Sequence, residues 1–122
     1  MIKPTAVHAV RFLSAIAWLL TAFMTVRAIS QAGLSGAGAL FFGDFVHPWR
    51  GQFNLDFAWH LVFMAAWVAW RETASVKRIV FGLASIFLGG LFSFAYIFAA
   101  SFAPNASIRR LLVGPPLTTN KG

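Results

Sequence analysis

Residues 12–26, FLSAIAWLLTAFMTV, are an apolar run closed at both ends by arginine, Arg11 and Arg27. Crossing the hydrocarbon of a bilayer takes a helix of roughly 20 residues, and long arginine stems at the two ends reach toward opposite interfaces. A transmembrane helix over about residues 8–29 is therefore predicted. Two further runs repeat the pattern. Leu55–Trp70 is short by itself, but continued to Ala74, with Arg71 and Glu72 at the headgroups, it spans as residues 54–74. Ile79–Phe102 is long enough to cross with tilt and stops before Pro104, which disfavours a helical Ala103. The expected fold is all-α, one integral membrane domain with three transmembrane helices.

Composition agrees. Hydrophobic residues make up 59% of the 122, far above a soluble domain, so lipid is the expected solvent. Ten Lys and Arg against three Asp and Glu give a formal net charge of +7, and most of these charges fall between the apolar runs. They stand singly or in pairs at segment ends, whereas nucleic-acid binders cluster them along one face, so nucleic acid is excluded as a partner. With no cysteine, a disulfide framework, a thiolate nucleophile and a sulfur-ligated metal are excluded too.

A signal peptide is the rival account of the first run, because Lys3 and Arg11 make a basic start and Ala28-Ile29-Ser30 is spaced like a cleavage site. Arg27 closes the run just before that site, which favours a retained helix. Between the first two runs lies GLSGAGALFFGDFVHPWRGQ, residues 33–52. Its glycines and Pro48 argue against one continuous helix, yet Leu40, Phe41, Phe42, Phe45 and Trp49 are too apolar for a solvated loop. An interfacial or shallow re-entrant segment is expected. The tail, residues 103–122, ends in PPLTTNKG, which predicts a mobile terminus.

Orientation is weakly encoded if three helices cross. Lys3, Arg11, Arg71, Lys77 and Arg78 then lie on one side, with Arg27, Arg50, Arg109, Arg110 and Lys121 on the other. The short loop RETASVKR concentrates three basic residues between two spans, which favours a cytoplasmic amino terminus. In lipid, helices associate through close backbone approach and hydrogen bonds, so small residues mark packing faces. Gly82, Ser85, Gly89 and Ser93 form such a face on the third span, Ser14, Thr21 and Thr25 on the first, and Ala58, Ala65 and Ala69 on the second. These faces serve either the chain's own helices or a partner.

The densest polar cluster is WRGQFNLDFAWH, residues 49–60. Asp56 and His60, four apart, share one helix face, which Met64, Trp67 and Arg71 continue. Anchoring at an interface accounts for much of it. Asn54 can cap the helix, Asp56 lies in the first turn where the dipole favours a carboxylate, Arg50 is near enough to pair with Asp56, and Trp49, Trp59, Trp67 and Trp70 form interfacial belts. The sharper alternative is acid–base chemistry. His60 sits a turn deeper, where an ionisable group faces protein or water, and Asp56 would hold its tautomer. Asp56 and His60 are thus the candidate catalytic pair, with Arg50, Gln52, Asn54 and Trp67 as candidate binding residues. His47 with Asp56 and His60 has the ligand types of an iron or zinc site, but the spacing matches no metal motif, and no common nucleotide or hydrolase fingerprint occurs. No metal and no cofactor is assigned.

The stretch HPWRGQFNLDFAWHLVFMAAWVAWRE followed by FGLASIFLGGLFSFAYIF resembles a family of small bacterial three-span membrane proteins, over about residues 41–102. Its most specific parts are WRGQFNLDFAWH and the WRE that ends the same helix; the glycine pair and Tyr96 are softer. The resemblance implies topology and bacterial origin and brings no catalytic role with it. The expected function is that of a small inner-membrane structural or accessory subunit, packing against a partner membrane protein or a second copy through the glycine-serine face. The alternative is a membrane enzyme or lipid-binding protein acting on an isoprenoid or other apolar substrate through Asp56 and His60.

Overall fold

The computed structural model describes residues 4–114; Lys3, Lys121 and the polar end of the tail lie outside the described residues. Among the described residues every regular element is helical: α1 (Pro4–Ala32), α2 (Gly36–Gly43), a 3-10 turn (Asp44–Val46), α3 (Pro48–Arg71), α4 (Ser75–Leu88), α5 (Gly90–Ala100) and α6 (Ile108–Val113).

α1 has no glycine and, after its first residue, no proline to interrupt it, and it stops at Gly33, whose positive φ of 79° lets its N–H return to the Ile29 carbonyl at 2.9 Å. Within it, Thr5–Ala32 is the one helix among the described residues that is long and apolar enough to cross a membrane. α3 has comparable length, 24 residues, but polar side chains interrupt its first half. It begins at Pro48, six residues before the expected start at Asn54, because His47 accepts from the Arg50 N–H at 3.4 Å and proline suits the first helical turn. His47, not Asn54, is therefore the cap. The glycine-rich segment is mostly helical, folded as α2 and the 3-10 turn. Gly51 lets that turn rest on α3, since a Cβ there would come within 3.0 Å of the Phe45 carbonyl oxygen.

The single helix expected over 79–102 is two helices. Gly89, with φ 57° and ψ −132°, breaks it. The chain then folds back: the Phe81 and Tyr96 rings lie 5.9 Å apart, whereas fifteen residues of continuous helix would separate them by about 22 Å. α4 runs antiparallel to α3. Arg78 Nε donates to the Ala69 carbonyl at 2.8 Å, Gly82 faces Ala65, and Gly89 at the far end meets Phe57 and Leu61. α5 runs back along α1, with Trp18 Nε1 donating to the Leu91 carbonyl at 2.8 Å and Arg11 Nη2 to the Ser101 carbonyl at 2.9 Å. At 14 and 11 residues, α4 and α5 are about 21 and 16 Å long, and neither reaches across roughly 30 Å of hydrocarbon.

Ser85, Gly89 and Ser93 are buried at the α4–α5 bend, and Gly82 is half-buried against α3. The hydroxyls of Ser85 and Ser93 donate to the Phe81 and Gly89 carbonyls, each at 2.9 Å. The expected glycine-serine docking face is thus occupied by the chain's own helices. Apolar side chains show the reverse distribution. Only Val7, Ala65, Val68 and Leu111 are buried hydrophobics among the described residues, while Phe12, Phe23, Phe63 and Phe87 stand outward, Phe87 at 81% exposure. Water would oppose that much contiguous apolar surface.

Candidate functional site

Polar side chains gather at two levels of α3. The first holds the candidates read from the sequence. Arg50 pairs with Asp44, Nε to Oδ1 at 3.3 Å, rather than with Asp56. Asn54 lies inside the helix and donates Nδ2–H to the Phe41 carbonyl at 2.8 Å, tying α2 to α3. Gln52 is exposed. His60 Nδ1 sits 2.7 Å from the Asp56 carbonyl oxygen and 3.1 Å from Asp56 Oδ1. Both are acceptors, so Nδ1 carries the proton and Nε2 points away without a partner among the described residues.

Because α3 starts at Pro48, Asp56 and His60 lie about 12 and 18 Å along a helix about 36 Å long, near its middle. Their side chains are 56% and 77% exposed, and neither lines the principal clefts. A cleft of about 580 Å³ is apolar and lies between the second half of α1 and α2, lined by Leu20, Met24, Ile29, Leu34 and Leu40 among others. An exposed pair of this kind contributes little to folding: Asp56→Asn and His60→Ala are each expected to change stability by less than about 1 kcal/mol, read from thermal unfolding in detergent. A larger loss would mean that the pair holds the helix in place.

The second cluster is at the other end of α3. Arg71 and Glu72, expected among headgroups, are largely buried, with side chains 8% and 16% exposed. Arg71 Nε donates to the Leu111 carbonyl at 2.8 Å, Nη1 to Tyr96 Oη at 2.9 Å, and Nη2 reaches the Arg110 carbonyl at 3.5 Å. Tyr96 in turn donates its hydroxyl to Glu72 Oε2, which lies 3.6 Å from Arg71 Nη1. Trp67, expected to bind a ligand, donates Nε1–H to the Leu112 carbonyl at 2.8 Å. One guanidinium thus joins α3, α5 and α6, using its planar fork of donors.

α6 was expected as tail. Ser107 caps it by accepting the Arg110 N–H at 3.2 Å, and Gly114 ends it with φ 85°. A Cβ at Gly114 would come within 2.8 Å of the Arg71 carbonyl oxygen, so glycine is required there for both backbone and space. The sequence signals for this cluster were a serine three residues before arginine, a glycine six residues after Ile108, and the chain's single tyrosine.

In the first cluster Asp56 and His60 are exposed on the helix surface, and in the second Arg71, Glu72 and Tyr96 line a cleft of about 450 Å³ while bonding to one another. Glu72 lies about 24 Å from Asp56 along α3 and is bonded within the chain. Comparison with known proteins finds no family model that matches the chain, no similar curated protein and no similar solved structure.

Proposed function

We propose that the chain is a small integral protein of the bacterial inner membrane that acts as an accessory subunit, docking against another membrane protein through the Gln52–Asp56–His60 face of α3. Under this proposal α1 and α3 cross the bilayer, and α4 and α5 form a re-entrant hairpin that enters and leaves on one side. The apolar exterior, and the bonds from Trp18 and Arg11 that tie α1 to α5, support a retained, lipid-embedded helix.

The observation that carries the docking proposal is the exposed Asp56–His60 pair halfway along α3. Ionisable groups at such depth face protein or water rather than lipid, and the glycine-serine face is already filled from within. The occupant is a transmembrane helix of another protein offering a hydrogen-bond donor to the free Asp56 oxygen and a polar group to His60 Nε2. A photo-crosslinking side chain at Phe53 is expected to capture one discrete heterologous protein in intact membranes. Capture should fail from Phe87 and should fall sharply with Asp56→Asn/His60→Ala. Self-adducts would replace the proposal with a homo-oligomer; lipid adducts alone would shift it to an apolar ligand.

The hairpin also changes the charge balance. Among the described residues, Arg11, Arg71, Lys77, Arg78, Arg109 and Arg110 lie at one end of the bundle, leaving Arg27 and Arg50 toward the other. Six against two supports a cytoplasmic location for the crowded end. As the chain has no cysteine, Lys77→Cys and Arg109→Cys each introduce the only thiol. An impermeant thiol reagent is expected to label both from the cytoplasmic side and Gln31→Cys from the opposite side. Labelling of positions 77 and 109 from opposite sides would restore a third crossing and exclude the hairpin.

A further inference from the structure

The crowded end is more than an orientation signal. The beginning of α1, the end of α3, the beginning of α4, the end of α5 and all of α6 lie there, which places Arg11, Lys77, Arg78, Arg109 and Arg110 at the same end of the bundle. The chain has only three carboxylates. Asp44 and Asp56 lie at the other levels described above, and Glu72 is engaged by Tyr96 and Arg71. Glu72 is thus the one acidic side chain at this end, lining clefts with Arg110 and Lys77, and the basic groups outnumber it. Lys77, Arg78 and Arg109 are exposed.

A cleft of about 330 Å³ opens at this end between the ends of α3 and α5 and α6, lined by Arg71, Glu72, Thr73, Pro104, Arg110 and Leu111 among others. Next to it, Leu112 and Val113 of α6 are exposed apolar groups. An excess of basic side chains, a small cleft whose wall carries a hydroxyl, two guanidinium groups and the Glu72 carboxylate engaged by Arg71 and Tyr96, and apolar residues alongside match the boundary between headgroups and acyl chains.

We infer that this end of the molecule binds anionic phospholipid headgroups, with Lys77, Arg78, Arg109 and Arg110 supplying the charge. The inference rests on the membrane location proposed above and not on which end faces the cytoplasm. Charge complementarity selects the ligand: near an anionic bilayer surface each Lys or Arg strengthens binding about fivefold, and screening by salt weakens it. α6 is the element that brings Arg109 and Arg110 to the site, so the Arg71 clamp is a positioning device for this surface.

The test uses the full chain purified in a neutral detergent and offered phosphatidylglycerol and phosphatidylcholine in equal amounts, with retained lipid counted by native mass spectrometry. The wild type is expected to retain phosphatidylglycerol preferentially. Lys77→Gln/Arg109→Gln removes two exposed charges with no hydrogen-bond partner among the described residues, and should reduce the preference by up to about 25-fold, about fivefold for each charge, while leaving thermal unfolding unchanged. Arg27→Gln, at the other end, should leave the preference intact. Equal retention of both lipids by the wild type, or a preference that survives in the double variant, overturns the inference. Orientation does not enter a detergent measurement. Failure of the membrane proposal would show separately, as a protein that stays monodisperse once detergent is withdrawn.

Discussion

Replacing Arg71 by leucine is expected to destabilise the protein by about 3–5 kcal/mol, because it leaves a buried charge without its partner. Glu72, 16% exposed, would keep only the Tyr96 hydroxyl, and the Leu111 and Arg110 carbonyls would lose their donor. Two measurements check this. Unfolding in a mixed-micelle denaturant titration should shift by that amount, and tryptic cleavage after Arg109 and Arg110 should become rapid as α6 detaches. Arg71→Lys should recover only part of the loss, since a single ammonium cannot reach positions on α3, α5 and α6 that a planar fork spans. Glu72→Gln added to Arg71→Leu should be more stable than Arg71→Leu alone, because the orphaned charge is then gone. A loss below about 1 kcal/mol for Arg71→Leu, the range of an exposed pair, would show that the guanidinium does not hold the end of the bundle together.

The same substitution at two glycines seven residues apart is expected to have opposite signs. At Gly89 a Cβ has room, with its nearest neighbours Leu61 and Phe57 at 3.7 Å, but the backbone angles of 57° and −132° are ones that only glycine adopts readily. Gly89→Ala should therefore cost about 1–3 kcal/mol, all of it from the backbone. At Gly82 the backbone is helical and a Cβ would meet the Ala65 carbonyl oxygen at 3.8 Å, an ordinary contact. Gly82→Ala should be neutral or stabilise by up to about 1 kcal/mol, the difference in helix propensity. Equal effects at both positions would mean that α4 and α5 are continuous in the membrane. Under the proposed topology the bend has a further consequence: straightening it would carry Arg109 and Arg110 to the opposite face, against the positive-inside preference.

Much of the helical content was legible. Arg11 and Arg27 frame the greater part of α1, and RETAS marks the turn from α3 to α4, because hydropathy and end charges are properties of consecutive residues. The pairing of Asp56 with His60 was legible for the same reason, since four-residue spacing on a helix determines it locally. The outward direction of that pair was not, because it depends on which face α4 covers. The glycine pair in FLGGLF was ambiguous: close helix packing and a chain reversal both call for glycine, and a run of 24 residues without a charge made the straight helix the simpler expectation. α6 was missed because its six residues carry almost no periodicity, and the bonds that hold it come from residues about forty positions away.

The order of residues by itself determined an all-helical chain rich in apolar residues, a long apolar helix at its start and polar groups concentrated along α3. Only the tertiary structure decided that the last long run bends back at Gly89, that Arg71 is enclosed by the returning chain, and that Arg109 and Arg110 lie at the same end of the bundle as Lys77. The physical reason is the range of the forces involved. Hydropathy and helix propensity act between neighbours in sequence, whereas a buried guanidinium and a reversed helix are stabilised by groups that become neighbours only after the chain has folded.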